Sequence, residues 1–275
     1  MVIWSWRRPG GSFHHGQRDA LGAGADYRLL VGIGRAAAIS LHAAGLSVYA
    51  TARQVDALAD LARQGIHTLA LDVTDEASMT EAVEAIEEAA GPVGVLVNNA
   101  GYGLYGPVEQ LPMDEIRRQF ETNFFGLVRL TQLVLPGMRR RGRGRILNVS
   151  SMGGRITLPG GAFYHASKYA VEALSDALRM EVAQFGIDVV LIEPGPVKTP
   201  WNDVAAASLS TASGPGSSVA DGDPYATYKA AVGASRYLIN PVAKSLVAMN
   251  QVLPARAYDS MLRRQYGLSR SSRAR

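Results

Sequence analysis

Short apolar runs alternate along this chain with longer stretches in which apolar residues recur at helical spacing. Runs of five or six apolar residues are typical of strands buried on both faces, as in parallel sheets. The stretches between them are typical of amphipathic helices. The pattern therefore predicts a single α/β domain with a doubly wound, Rossmann-like parallel sheet. The predicted strands are 47–51, 66–71, 93–97, 145–149 and 187–192, and the predicted helices are 34–44, 55–64, 75–90, 113–140 (one helix or two) and 161–185.

Small and polar residues follow four of the predicted strands. They are Asp72, Asn98–Gly101, Ser150–Ser151 and Pro194–Gly195. Because a doubly wound sheet binds its ligand at the carboxyl ends of its strands, these groups are expected to form one site.

The pattern weakens beyond Pro200. Residues 202–223 are rich in Ala, Ser, Gly and Asp, which is typical of a loop, and we expect them to form a lid over the substrate. The domain is predicted to span 32–268, with a disordered tail over 269–275. A length of 275 residues, 47% of them hydrophobic, suits one large core and requires no second domain.

The net charge of +4 changes this picture little. Basic residues cluster over Arg139–Arg145 and Arg263–Arg275, where they suggest either a nucleic-acid or membrane surface or a solvated helix end and a tail. Since no aromatic residues interleave with Arg139–Arg145, we expect no nucleic-acid partner.

The absence of cysteine excludes disulfides, a Cys nucleophile and Cys-ligated metal sites, and no metal site of another kind is predicted. No apolar run approaches the roughly 18 residues that span a bilayer, and residues 1–10 lack the apolar core of a secretory signal. We therefore expect a cytoplasmic protein with no integral membrane segment.

Tyr164 and Lys168 stand four residues apart, and Ser151 precedes the tyrosine by thirteen. On a helix, positions i and i+4 share one face. A lysine ammonium beside a phenol is expected to lower the phenol's pKa from its usual value near ~10, which suits acid/base catalysis. A serine from the preceding strand end is placed to hold the same substrate oxygen.

Together these residues resemble the short-chain dehydrogenase/reductases over residues 32–199. The strand end Tyr49–Arg53 and the stretch Ile192–Thr199 look most like the branch that acts on steroids, retinoids and other lipophilic alcohols or ketones. The matching positions are Gly32-Ile33-Gly34, Asp72-Val73, Asn98-Asn99-Ala100-Gly101, Asn123, Ser151, Tyr164, Lys168 and Pro194 to Thr199.

The resemblance implies a role for each catalytic residue. Tyr164 would be the acid/base, and Lys168 would lower its pKa and bind the nicotinamide ribose. Ser151 would polarise the substrate oxygen, with Ser150 as the neighbouring hydroxyl that is less favoured by spacing. Asn123 would bend its helix and position a water that relays protons to Lys168.

The resemblance also implies a cofactor site. Asn99 would contact the adenosine-side ribose, Thr199 the nicotinamide carboxamide, and Asp72 the adenine, unless Asp72 simply caps the turn that follows it. The implied cofactor contacts are Gly32, Ile33, Gly34, Arg53, Asp72, Val73, Asn99, Ala100, Gly101, Tyr164, Lys168, Pro194, Gly195, Val197 and Thr199.

The choice of cofactor depends on Arg53. An enzyme that prefers NAD places a carboxylate at the end of its second strand, where it binds the ribose 2′-hydroxyl. This chain has Thr51-Ala52-Arg53 there, and a guanidinium pairs with the 2′-phosphate of NADP. We therefore predict NADP(H), with NAD as the alternative cofactor and a solvent-facing Arg53 as the alternative role.

Residues 1–31 depart from the family pattern, and we expect them to be aberrant or disordered. Leu21–Asp26, where the buried first strand should lie, is rich in Gly and Ala, and Tyr27 and Arg28 replace the Thr-Gly that begins the phosphate loop. Residues 27–31 are a candidate substitute strand. Read one nucleotide out of frame, residues 22–31 can encode Val-Leu-Val-Leu-Thr-Thr-Gly-Ser-Ser-Ser, which restores both features and suggests out-of-frame translation.

Two functions remain open at this stage. The first is an NADP-dependent oxidoreductase that acts on a lipophilic alcohol/ketone pair and forms a homodimer or tetramer, as the family usually does. The second is a catalytically impaired relative that binds dinucleotide weakly or serves as an interaction or sensor module. The complete set of catalytic residues favours the first function, and the altered glycine loop favours the second.

Overall fold

The fold is known from a computed structural model, which describes residues 2–5, 32–195 and 260. Strands and helices alternate through the described chain as the apolar pattern predicts. The strands are β1 (Val2–Ser5), β2 (Ser47–Ala52), β3 (His67–Ala70), β4 (Val93–Asn98), β5 (Gly144–Val149) and β6 (Ile187–Ile192). The helices are α1 (Ile33–Ala43), α2 (Ala59–Arg63), α3 (Glu76–Ala90), α4 (Met113–Phe120), α5 (Gly126–Arg141) and α6 (Ala162–Val182), with 3₁₀ turns at Val55–Leu58, Met152–Gly154 and Ala183–Phe185.

The six strands form one sheet in the order β3-β2-β1-β4-β5-β6. This is the strand order of a Rossmann fold. β2 and β3 pair in parallel, as predicted. All six residues of β4 are buried, in keeping with its continuous apolar run.

β1 corrects two expectations about the start of the chain. Val2–Ser5, which we assigned to an aberrant or disordered segment, forms a strand in the slot between β2 and β4. It is antiparallel to both neighbours, so the sheet is not purely parallel. The segments that we considered for this strand, 21–26 and 27–31, lie outside the described residues.

The antiparallel register places the two ends of β1 at opposite edges of the sheet. Val2 pairs with Ala50 and Val97, near the carboxyl ends of β2 and β4. Ser5 pairs with Ser47 and Val93, at their amino ends. The carboxyl end of β1 therefore lies beside the amino ends of its neighbours. In this type of sheet a dinucleotide binds at the other side, at the carboxyl ends of the parallel strands.

The described chain divides into two compact units. The first contains 2–5, 32–99, 129–147 and 182–188, and the second contains 100–128, 148–181, 189–195 and 260. The first unit has fully buried side chains such as Ile86, Leu96, Val134, Met138 and Ile146. The second has a cluster of Leu104, Leu111 and Ile116, packed against Tyr102, Phe120 and Phe163.

Local chemistry explains the bounds of α3. Asp75 caps its amino end, where the carboxylate accepts hydrogen bonds from the amides of Ala77 (2.9 Å) and Ser78 (3.3 Å). Gly91 ends the helix with a φ of 76°, a conformation that favours glycine. These two residues give α3 almost the bounds that were predicted for it, 75–90.

The predicted helix over 113–140 is two helices joined by a wider turn. α4 ends at Phe120, residues Glu121–Phe125 form one π-helical turn, and α5 begins at Gly126. Single π turns within helices frequently occur at functional sites. This turn carries Asn123, whose side chain is 1% exposed.

Candidate active site

Ser151 lies in the second unit, directly after β5 and its neighbour Ser150. It caps the 3₁₀ turn at residues 152–154, because its Oγ accepts a hydrogen bond of 3.0 Å from the amide of Gly153. Ser151 also acts on the Tyr164 side chain, where it opposes the rise of the phenol's pKa. A Cβ built on Gly154 would lie 2.9 Å from Ser150 Oγ and 3.0 Å from a carboxylate oxygen of Glu172, so Ser150 faces that acid. The serine that meets Tyr164 is thus the one that the spacing favours.

Tyr164 lies in the first turn of α6, and its side chain is 6% exposed. Burial raises its pKa to about 12, and the hydrogen bond to Ser151 opposes this shift. The ring of Tyr105 packs at 5.8 Å from its centroid. The prediction that Lys168 lowers the pKa of Tyr164 is wrong for this structure, since removal from water dominates and the shift is upward.

Lys168 lies one helical turn after Tyr164 and is also 6% exposed. Its Nζ donates a hydrogen bond of 2.8 Å to the carbonyl of Val149, the last residue of β5. Burial lowers the pKa of Lys168 to about 8, and the negative charge of Glu172 opposes this shift. The ammonium is thus anchored on the strand that leads into Ser151.

Asn123 uses both polar atoms of its side chain. Oδ1 accepts from the amide of Tyr102 at 2.9 Å, and Nδ2 donates to the Tyr102 carbonyl at 2.9 Å and to Ser167 Oγ at 3.1 Å. The residue therefore ties the π turn to the loop after β4 and to α6. Its implied role in positioning a relay water remains a prediction.

Gly101 lies close to two of these side chains, those of Asn123 and Lys168. A Cβ on Gly101 would lie 3.2 Å from Asn123 Oδ1 and 3.6 Å from Lys168 Nζ. A side chain here would be tight against Asn123 Oδ1 and in ordinary contact with Lys168 Nζ. Ala100, the preceding residue, is half-buried in the same loop.

In the first unit, the residues predicted to bind pyrophosphate lie at the start of α1. Gly32 precedes the helix with a φ of 94°, Ile33 is its first residue, and no described side chain caps this end. A Cβ on Gly34 would lie 2.6 Å from Asn99 Nδ2, so glycine is required for this contact. An uncapped helix start with a glycine at close approach fits the phosphates of a dinucleotide. The loop residues before Gly32 lie outside the described chain.

Two further predicted contacts lie at strand ends of the first unit. Arg53 follows β2 directly, and its side chain is exposed. Asp72 Oδ1 accepts hydrogen bonds from the amide (2.9 Å) and the hydroxyl (2.8 Å) of Thr74. The aspartate therefore caps its turn, which was the alternative role considered for it. Val73 is half-buried within that turn, and a contact with adenine stays a prediction.

Pro194 and Gly195 end the described part of the second unit. The carbonyl of Pro194 accepts a hydrogen bond of 3.0 Å from the amide of Met152, which joins this strand end to the turn that Ser151 caps. Val197, Thr199 and the predicted lid over 202–223 lie outside the described residues.

Sequence analysis missed three residues around the catalytic group. Glu172 lies two turns after Tyr164 and is buried, and burial raises its pKa. Arg155 binds Glu172 (3.0 Å) and Glu193 (2.7 Å). The four-residue spacing of Tyr164, Lys168 and Glu172 was a usable signal for Glu172. The third is His165, which follows Tyr164 directly and is buried.

The arginine cluster at 139–145 makes contacts within the first unit. Arg139 lies over the ring of Phe185, Arg141 donates to the carbonyl of Pro92, and Arg145 pairs with Asp188. Three arginines of the cluster therefore have partners within the first unit. No helix in the described part of the chain is both long and apolar enough to span a membrane.

Comparison with known proteins identifies the family. Residues 30–210 match the short chain dehydrogenase family. A probable short-chain type dehydrogenase/reductase of Helicobacter pylori is 34% identical over 252 residues, which cover 84% of this chain and 93% of that protein. A 3-ketodihydrosphingosine reductase of Bacteroides thetaiotaomicron is 42% identical and human retinol dehydrogenase 8 is 43% identical. The matches cover 62% and 53% of this chain, and 62% and 46% of those two relatives.

Solved structures agree with this match. A short-chain dehydrogenase from Streptomyces avermitilis is 42% identical with a TM-score of 0.60, over 62% of this chain and 64% of that one. A gluconate 5-dehydrogenase from Burkholderia cenocepacia, in complex with NADP and tartrate, is 27% identical with a TM-score of 0.57, over 60% and 67% of the two chains. The predicted α/β fold class is confirmed, and the chain belongs to the short-chain dehydrogenase/reductase family of NAD(P)-dependent oxidoreductases.

Proposed function

We propose that this protein transfers a hydride between NADP(H) and a lipophilic alcohol/ketone pair, with Tyr164 as the acid/base. The observation that supports this most directly is the placement of Ser151 at the largely buried Tyr164, whose ring lies against the turn that Ser151 caps. Two hydroxyls side by side suit one substrate oxygen, which Ser151 polarises while Tyr164 exchanges a proton with it.

The protonation state of Tyr164 supports a role as proton donor. A phenol with a pKa of about 12 is protonated at neutral pH, so it is ready to give its proton to a carbonyl that is being reduced. Work in the direction of alcohol oxidation requires a lower pKa. The bound cofactor supplies the hydride itself, and the protein supplies placement and electrostatics.

The charged groups near Tyr164 suit the same chemistry. Lys168 is buried beside Val149 at the end of β5, and Glu172 favours its charged form. Since its pKa of about 8 lies above neutral pH, Lys168 keeps a positive charge there, and its ammonium is the group that the family resemblance assigns to the nicotinamide ribose.

The preference for NADP(H) rests on Arg53. Its exposed side chain follows β2, the position at which an NAD-dependent relative would carry a carboxylate. A guanidinium there suits a 2′-phosphate. The gluconate 5-dehydrogenase that resembles this chain was solved with NADP, which is consistent with this choice.

The lipophilic substrate class rests on the relatives. Human retinol dehydrogenase 8 and the 3-ketodihydrosphingosine reductase are both named for substrates with long apolar chains. An NADPH-dependent 3-dehydrocapnine reductase of Ornithobacterium rhinotracheale, 41% identical, is a third relative of this kind.

A second candidate function is that of an impaired relative with weak dinucleotide binding. The antiparallel β1 favours it. The carboxyl end of this strand lies away from the carboxyl ends of β2 and β4, where the phosphate loop of a Rossmann fold normally begins. The two candidates differ in whether the chain turns over a substrate.

The substitution Tyr164→Phe tests the proposal. We expect NADPH consumption with a panel of 2-decanone, all-trans-retinal and a 3-ketosteroid to fall by about 10²–10⁴-fold, because the proton donor is lost. Tyr169→Phe is the matched control, since Tyr169 lies on the same helix with its side chain exposed. The shift in melting temperature on adding NADPH should be the same in both variants. Turnover that survives in Tyr164→Phe would remove this residue from the mechanism.

A further inference from the structure

His165, the residue after Tyr164, has both ring nitrogens engaged inside the protein. Its side chain is 3% exposed. Nε2 accepts a hydrogen bond of 3.2 Å from the amide of Leu158, so Nδ1 carries the proton and donates to the carbonyl of Gly153 at 2.9 Å. Burial lowers the pKa of His165, which keeps this neutral form at physiological pH.

The Nδ1 bond holds the turn that positions Ser151. The amide of Gly153 donates to Ser151 Oγ, and the carbonyl of the same glycine accepts from His165. A Cβ on Gly153 would lie 2.8 Å from Nδ1 and 3.1 Å from a ring carbon of Tyr164. There is therefore no room for a side chain at Gly153 between the imidazole and the tyrosine ring.

The Nε2 bond holds a second segment, residues 158–161. The carbonyl of Gly160 accepts a hydrogen bond of 2.8 Å from the amide of Gly106, which follows Tyr105. A Cβ on Gly161 would lie 2.7 Å from Nε2 and 3.1 Å from the ring of Tyr105. Because Tyr105 packs on Tyr164, this segment borders the catalytic phenol.

We infer that His165 is a positioning residue, which fixes Ser151 through Nδ1 and the loop at 158–161 through Nε2. This inference rests on the proposed function of Tyr164 and Ser151. The two bonds have separable effects. Loss of the Nδ1 bond displaces the serine that polarises the substrate oxygen, so it lowers kcat. Loss of the Nε2 bond loosens a loop beside the substrate, so it raises KM.

Two conservative substitutions separate the bonds. The amide of Asn reaches the place of Nδ1 and that of Gln the place of Nε2, so His165→Asn retains the donor to Gly153 and His165→Gln retains the acceptor for Leu158. With NADPH and the ketone panel above, we expect kcat to fall about tenfold in His165→Gln and less than about twofold in His165→Asn. KM should rise in His165→Asn. His165→Phe fills the volume but makes neither bond, and it should show both defects.

Hydrogen exchange provides a measurement that needs no substrate. The amide of Leu158 should stay protected in the wild type and in His165→Gln, and exchange at least about tenfold faster in His165→Asn and His165→Phe. The inference is overturned if Leu158 exchanges equally in all variants. It is also overturned if kcat falls equally in His165→Asn and His165→Gln and this fall follows a fall in melting temperature. Failure of the proposed function would show separately, as turnover that persists in Tyr164→Phe.

Discussion

At the scale of single residues, the buried Lys168 makes the stability of the fold depend on pH. Its pKa in the folded protein is about 8, below the ordinary value of 10.5. Between these values the unfolded chain binds more protons, so this group makes the free energy of unfolding rise with pH across that interval. Below about pH 8 the cost of burying the charge is present in full.

The substitution Lys168→Met removes that cost together with one hydrogen bond. We expect the variant to be about 2 kcal/mol more stable than the wild type at pH 7, because the desolvation that it avoids outweighs the lost bond to the Val149 carbonyl. The difference should shrink as the pH rises from 8 to 10.5. Urea unfolding at several pH values measures it, and a difference that does not change with pH would show that burial of the ammonium is not its source.

The sequence was informative about which residues meet and less informative about their pKa values. The thirteen-residue spacing favoured Ser151 over Ser150, and Ser151 is the serine that acts on the pKa of Tyr164 in the structure. The upward shift of the Tyr164 pKa was missed, because it depends on burial, to which distant residues such as Tyr105 contribute.

At the scale of elements, the π turn between α4 and α5 depends on Asn123. Its side chain satisfies both the amide and the carbonyl of Tyr102. These backbone groups belong to the loop that follows β4, and Gln119 of α4 donates a further hydrogen bond of 3.1 Å to the same carbonyl, so two amide side chains hold that loop on the helix. A buried backbone group that loses its partner costs about 1–3 kcal/mol.

The substitution Asn123→Ala should therefore destabilise the protein by about 1–3 kcal/mol, because the Tyr102 amide loses its acceptor while the Tyr102 carbonyl keeps a hydrogen bond of 3.1 Å from Gln119. Thr122→Ala is the control in the same turn, where an exposed hydroxyl bonds to the Arg118 carbonyl, and its effect should stay below about 1 kcal/mol. Chemical denaturation compares the two. Equal losses in the two variants would mean that Asn123 contributes no more than an exposed residue.

Most described elements were predictable from the apolar pattern, and β1 was not. β6 occupies 187–192 as predicted, and α3 begins one residue after its predicted start and ends at its predicted last residue. These elements carry their own signals of run length and capping. β1 is four residues long and has no such signal, and the strands on either side of it determine its pairing. The π turn was also missed, since its apolar spacing merges with that of the flanking helices.

At the scale of the whole molecule, the direction of β1 matters for cofactor binding. A phosphate loop requires a strand whose carboxyl end leads directly into α1, so that glycine amides and the helix start face the pyrophosphate. β1 ends at Ser5, beside the amino ends of β2 and β4, and α1 begins at Ile33. A parallel strand over residues 22–26 would need the same slot between β2 and β4, so the two arrangements exclude each other.

Replacing residues 22–31 with Val-Leu-Val-Leu-Thr-Thr-Gly-Ser-Ser-Ser tests this conflict. We expect the replacement to displace β1, restore a parallel strand and complete the loop before Gly32. NADPH should then raise the melting temperature by about 5 °C, against a smaller rise in the chain as it stands. A matched variant with the new strand but with Arg28 retained separates the contribution of the strand from that of the loop, because a side chain at this position blocks close approach of the backbone to phosphate. If the unaltered chain shows the full NADPH shift, an antiparallel β1 is compatible with tight cofactor binding and the start of α1 is sufficient to hold the pyrophosphate.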